Sequence, residues 1–294
     1  MSRIYEALAR ANDVIVEPTP ADPAPPATTA LEQYVQEGRH VVVDRRPVMR
    51  QVPPPPMTTV VDPYESIVPT RDFEGKVIDG STVNALAADQ YAVLATVLHE
   101  TQLDGGLKTL LVTSAAPQEG KTLTVVNLAI TLANSYARRV LIIDADLRRP
   151  SLHRALGIAG ERGLSDALSR TAGEIPITQI SPRISVLPAG RPDANPLVRL
   201  SHNRLQQILA ECSARFDWVL IDTPPLGSGS DAQLIARFVQ GVIFVIRAGV
   251  APYHVVDRAI AQLGRESIIG TVLNGVDEAS VPEALNYDSP ASAS

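Results

Sequence analysis

The sequence predicts an α/β fold, a mainly parallel sheet with helices on both faces, preceded by a disordered proline-rich N-terminal region. Three observations predict it. Short β-branched runs alternate with helical stretches through the second half of the 294 residues. A Gly-Lys-Thr turn joins the first run to a helix. Half of the 24 prolines fall between Pro18 and Pro69, which confines a packed core to the residues beyond them.

SRIYEALARA places Ile4, Leu8 and Ala11 at helical spacing, so residues 1–13 read either as a short amphipathic helix that docks on something, being marginal alone in water, or as a frayed terminus. Residues 14–80, with Pro53-Pro54-Pro55-Pro56, read as flexible linker. Residues 82–278 read as the folded domain. It opens on TVNALAADQYAVLATVLHETQ, a helix free of glycine and proline. Strands are predicted at 108–113, 139–144, 183–188, 216–222, 241–247 and 268–274. Near-continuous apolar strands separated by helices imply a sheet covered on both faces. Its strands then end on one edge, where open α/β sheets bind ligands. Residues 279–294 are polar and read as a disordered tail. No internal repeat is present.

Composition narrows the function classes. A net charge of −6 argues against a general nucleic-acid binder. Cys212 is the single cysteine, which excludes an internal disulfide and fits a reducing cytosol. The five histidines lack metal-ligand spacing. No run approaches the ~18 apolar residues of a membrane span, and MSRIYEALARAND lacks the apolar core of a signal peptide. The expected location is cytoplasmic, with any contact to the membrane's inner face made through a partner.

Three predicted strand ends carry the unusual residues. After KTLLVT, the run Ala116-Pro117-Gln118-Glu119-Gly120-Lys121-Thr122-Leu123 leads into a helix, so amides and the helix N-terminus face a phosphate. Lys121 is placed to reach the β/γ-phosphates, and Thr122 to hold Mg²⁺. Ala115 stands where the usual pattern has glycine, which is tolerable if the backbone there is not left-handed. In VLIIDADLRRP, Asp144 ends a strand and Asp146 follows; the pair can serve a metal and accept a proton, or form a helix cap or surface turn. WVLIDTPP ends a strand in Asp222, the second acidic element of a phosphate-loop NTPase, expected to meet Mg²⁺ through a water. ATP and Mg²⁺ are therefore the expected ligands, and the fold is P-loop NTPase-like. Asn274 and Arg247, at two further strand ends, are candidates to flank the nucleotide, Asn274 at the adenine edge; both can equally be turn residues.

SAAPQEGKT, VLIIDADLRRPSLH and WVLIDTPP together resemble the bacterial tyrosine kinases of capsule and exopolysaccharide synthesis. GLSDAL (163–168), LPAGRPDANP (187–196) and GTVLNGV (270–276) extend the likeness over roughly residues 85–278, and MSRIYEALARA is similar to the start of many such proteins. The resemblance implies phosphorylation of tyrosine by ATP, usually on the C-terminal tail of a neighbouring subunit. It implies Lys121 and Thr122 at the phosphates and Mg²⁺, Asp146 and Asp222 supporting the metal, Asp144 as base, and Arg148 holding the site. It also implies a transmembrane co-polymerase or activator as partner.

Two departures stand out. The family's Glu-x-x-Arg-x-x-Arg ring motif reads here Asp89, Ala92, Ala95, so self-association through that motif is expected to be weak. The tail offers one tyrosine, Tyr287, with Tyr5, Tyr34 and Tyr64 as other acceptors in the N-terminal half. A nucleotide-controlled scaffold with little kinase activity is the alternative. A Min/Par-type partitioning ATPase shares the sheet, but its signature lysine is replaced here by Ala116.

Overall fold

A computed structural model describes residue 77 and residues 85–169, 173–200 and 203–276. The segment read as an N-terminal helix, nearly all of the linker, and the tail with Tyr287 lie outside the described residues, as do Tyr5, Tyr34 and Tyr64. Val77 is the exception: assigned to the linker from sequence, it is buried in the domain's core.

Seven strands form one sheet: β1 Thr109–Ser114, β2 Val140–Asp144, β3 Thr178–Gln179, β4 Ile184–Leu187, β5 Trp218–Asp222, β6 Gly241–Arg247 and β7 Ile268–Asn274. Their order is β3-β4-β2-β5-β1-β6-β7, parallel throughout except for β3 against β4. The six strands expected from sequence are present with ends shifted by at most two residues. The two-residue β3 was not foreseen; it is exposed and carries no apolar pattern.

The helices are α1 Ala85–Gly105, α2 Lys121–Ser135, α3 Leu152–Ala155, α4 Leu164–Leu168, α5 Pro196–Leu200, α6 Asn203–Arg215, α7 Asp231–Ala236 and α8 Tyr253–Leu263. Alternation along β1 shows why both faces are covered. Leu110 and Val112 pack in a cluster with Leu128 and Leu132 of α2, whereas Leu111 packs with Leu205 and Ile208 of α6 on the other side. A third cluster places Val256 and Ala259 of α8 against Phe244 and Ile246 of β6.

Helix α1 lies along α2, tied by Tyr91 Oη donating to Thr124 Oγ1 at 3.4 Å. Ala95 on its inner face is completely buried with Leu98, while Ala92 is only half-buried. The two alanines are therefore not equivalent vacancies left by arginine. A guanidinium at 95 has no room without displacing the core, so packing alone accounts for the small residue there.

Candidate functional site

The chemistry-bearing residues meet where β1, β2 and β5 end. In the sheet Asp222 sits level with Val112 on one side and with Asp144 on the other. The phosphate loop crosses above them from Ser114 to α2.

The loop's shape is set by three local features. Gly120 is left-handed with φ 96°, and a Cβ there would stand 2.0 Å from Asn274 Nδ2, so both backbone angle and space demand glycine. Gln118 also takes a positive φ of 63°. Ala115 does not; its side chain is buried beside Leu226, Ala232 and Phe244, and its carbonyl accepts from Gly227 N–H at 3.2 Å. The missing glycine at this position is thus a core methyl in an ordinary backbone conformation.

Glu119 is a feature that sequence reasoning did not resolve. Its fully buried carboxylate accepts from Ala116 N–H at 2.6 Å and from Arg247 N–H at 3.4 Å. Asn274 Nδ2 donates to the Glu119 carbonyl at 3.1 Å, and Arg247 Nη1 to that of Gln118 at 3.2 Å. Asn274 and Arg247 therefore hold the loop against β6 and β7. The clue was a carboxylate inside a loop meant for phosphate, which has to turn its charge away. Pro117 and Gln118 are exposed, and Leu123 turns its side chain to the core.

Lys121 is buried, with Nζ donating to Ser114 Oγ at 3.0 Å, which in turn donates to the Ala116 carbonyl at 2.8 Å. Burial lowers the ammonium's pKa, opposed by Asp222, Glu119 and Asp146. Thr122 Oγ1 donates to Asp222 Oδ2 at 2.6 Å. Asp222 Oδ1 is buried without a hydrogen-bond partner.

Asp144 is fully buried. Its Oδ1 accepts from Asp146 N–H at 3.1 Å, and its Oδ2 from Leu152 and Ser151 N–H at 3.1 and 3.3 Å, at the start of α3. It is thus a helix-terminal anion and a member of the carboxylate cluster at once. Burial raises the pKa of Asp144, and the nearby Asp222 adds to it; burial likewise raises that of Asp222, against the Thr122 hydrogen bond and Lys121. Asp146, half-buried, accepts from Arg149 N–H at 2.9 Å. Arg148 makes a two-point ion pair with buried Asp231, at 2.7 and 3.2 Å.

These groups suit Mg²⁺. A hydroxyl and an unpartnered carboxylate oxygen are hard donors, and Asp146 stands beside them. No cluster of three or more acidic, histidine or cysteine side chains able to hold a metal exists among the described residues.

Comparison with known proteins narrows the family. The ParA profile, described as NUBPL iron-transfer P-loop NTPase, matches residues 107–276. Tyrosine-protein kinase YwqD of Bacillus subtilis is 31% identical over 69% of this chain and 87% of its own. Tyrosine-protein kinase etk of Escherichia coli K12 is 32% identical over 65% of this chain, which spans only 27% of that longer protein. Among solved structures, the kinase domain of Escherichia coli tyrosine kinase ETK superposes with a TM-score of 0.63 at 30% identity, covering 70% of this chain and 80% of that one. A septum site-determining protein MinD from Pyrococcus horikoshii shares the fold alone, at 22% identity, 60% and 75% coverage and a TM-score of 0.50. The chain belongs to the bacterial tyrosine-protein kinase family of ParA-type P-loop NTPases.

Proposed function

We propose that the protein is an ATP- and Mg²⁺-dependent tyrosine autokinase that regulates capsular or exopolysaccharide synthesis or export. The observation that carries this reading is the convergence of Lys121, Thr122, Asp222 and Asp144 at one sheet edge, with Asp222 Oδ1 unpartnered. Lys121 and the amides of Gly120 and Thr122 bind the terminal phosphates and offset charge spreading onto the transferred group. Thr122, Asp222 and Asp146 would hold Mg²⁺, which supplies further neutralisation of phosphate charge. Asp144 takes the phenolic proton, its pKa raised toward the range a base at neutral pH requires. As the tyrosine oxygen bonds to the γ-phosphorus, the bond to the β,γ-bridging oxygen breaks and ADP departs.

Residues 82–278 form the catalytic unit in this reading, and 279–294 supply Tyr287 as acceptor. Among the described residues no helix is long and apolar enough to cross a membrane. A transmembrane co-polymerase partner would bring the chain to the inner membrane face. The scaffold alternative draws on Asp144, whose two oxygens are already engaged by backbone amides.

Incubation of purified protein with Mg-ATP, with and without a cytoplasmic activator fragment, followed by phosphotyrosine mapping, tests this. Phosphotyrosine on the tail is expected. Bound ATP with no phosphotyrosine under either condition would favour the scaffold.

A further inference from the structure

Beside the carboxylates, on the side of the loop away from β6 and β7, lies a cavity of about 750 Å³. Its walls come from the segment after β2, helix α3, the turn after it and the loop after β4; Arg149, His153, Arg154, Glu161 and Arg191 line it. It opens next to the site because Asp144 binds the first amides of α3, and Asp146 binds the amide of Arg149.

Its charge is predominantly positive, with four arginines to one glutamate in the lining. Arg149, Arg154 and Arg191 form no ion pair among the described residues, in contrast to Arg148, which Asp231 neutralises. Arg154 donates to the Pro150 carbonyl, at 3.1 Å. His153 Nδ1 is buried in this wall without a partner. Against a net charge of −6 for the chain, three such guanidiniums around one concavity are a local reversal of sign. The volume suits a few side chains rather than a polymer, and Glu161 in the wall opposes a continuous polyanion.

We propose that this cleft is an acceptor subsite that selects acidic peptides, with Arg149, Arg154 and Arg191 pairing with carboxylates that flank the reacting tyrosine. The inference rests on the kinase reading and names the specificity of that site. Residues 277–294 of the chain have the complementary chemistry. They contain Asp277, Glu278, Glu283 and Asp288, no lysine or arginine, and Tyr287 directly before Asp288. Guanidinium–carboxylate pairing in a concave, partly dry wall orients such a segment and tolerates varied sequence between the acids.

The test uses the full chain with Mg-ADP and a fluorescent peptide of residues 277–294, read by anisotropy beside a peptide with its four acids changed to Asn or Gln. The acidic peptide should bind about tenfold more tightly, an advantage that Arg154→Glu/Arg191→Glu removes and raised salt weakens. Arg191→Ser alone, which breaks no side-chain hydrogen bond among the described residues, should give part of the loss while ADP affinity stays unchanged. Equal binding of the two peptides, or an unaltered preference in both variants, would overturn the subsite. So would an oligonucleotide binding the cleft more tightly than the peptide, which would mark a polyanion site. Charge-selective binding without phosphorylation leaves the subsite standing and removes the kinase reading; phosphorylation indifferent to peptide charge does the reverse.

Discussion

The phosphate loop is supported differently on its two sides. Toward β6 and β7, Glu119, Arg247 and Asn274 are joined to loop backbone or to each other by four hydrogen bonds. Toward β5 and β2, two buried carboxylates repel one another, and one oxygen of Asp222 has no partner. One side is finished by the chain itself, and the other is finished by what it binds. In the proposed reading the clamp positions the amides, while the electrostatically incomplete wall would provide affinity for a cation that arrives with the nucleotide.

The two sides respond differently to substitution. Lys121→Met reaches the phosphates directly and should lower phosphotransfer on the order of 10²–10³-fold, with the thermal transition retained; unchanged ATP affinity and turnover would refute the assignment. Gly120→Ala attacks the clamp side by forcing a Cβ into the left-handed region and against Asn274. A cost of about 1–3 kcal/mol and severe loss of ADP binding are expected. Adding Asn274→Ala should recover only the steric part, so a double-mutant cycle by chemical denaturation separates space from backbone angle.

Asp222→Asn should have opposite effects on stability and activity. The native state holds this carboxyl's pKa, and that of Asp144, above the ordinary range. Native stability from both groups is therefore fully present below the usual carboxylate pKa and lost as pH rises through the raised values. Without ligand, the variant should match the parent near pH 4 and melt a few degrees higher at pH 8, while losing phosphotransfer. A variant less stable than the parent at pH 8 would contradict the incomplete wall. Asn274→Ala is the mildest change: losing one hydrogen bond to the loop should cost about 0.5–1.5 kcal/mol and weaken ADP only several-fold.

The finished and unfinished sides were not equally legible in the sequence. Strands β1, β2, β5 and β6 announce themselves because burial on both faces makes them continuous apolar runs, and Gly120-Lys121-Thr122 fixes the loop between strand and helix. Asp144 and Asp222 were readable as strand-terminal acids, but not their shared burial, which depends on β2 and β5 becoming neighbours despite the chain between them. The clamp was harder to read. Asn274 and Glu119 are 155 residues apart, and nothing local in either says that they meet. The burial of Ala95 was hidden for the same reason: it packs against a helix whose approach its own helix does not encode. β3 left no pattern at all, being two exposed residues recruited by the edge of β4.

Calorimetric titration of ADP at pH 7.5, with and without Mg²⁺, on the parent and on Asp222→Asn addresses the unfinished side most directly. Mg²⁺ should tighten ADP by about tenfold or more in the parent and leave the variant's affinity nearly unchanged. Equal affinities with and without Mg²⁺ in the parent, or full Mg²⁺ dependence kept by Asp222→Asn, would contradict the account.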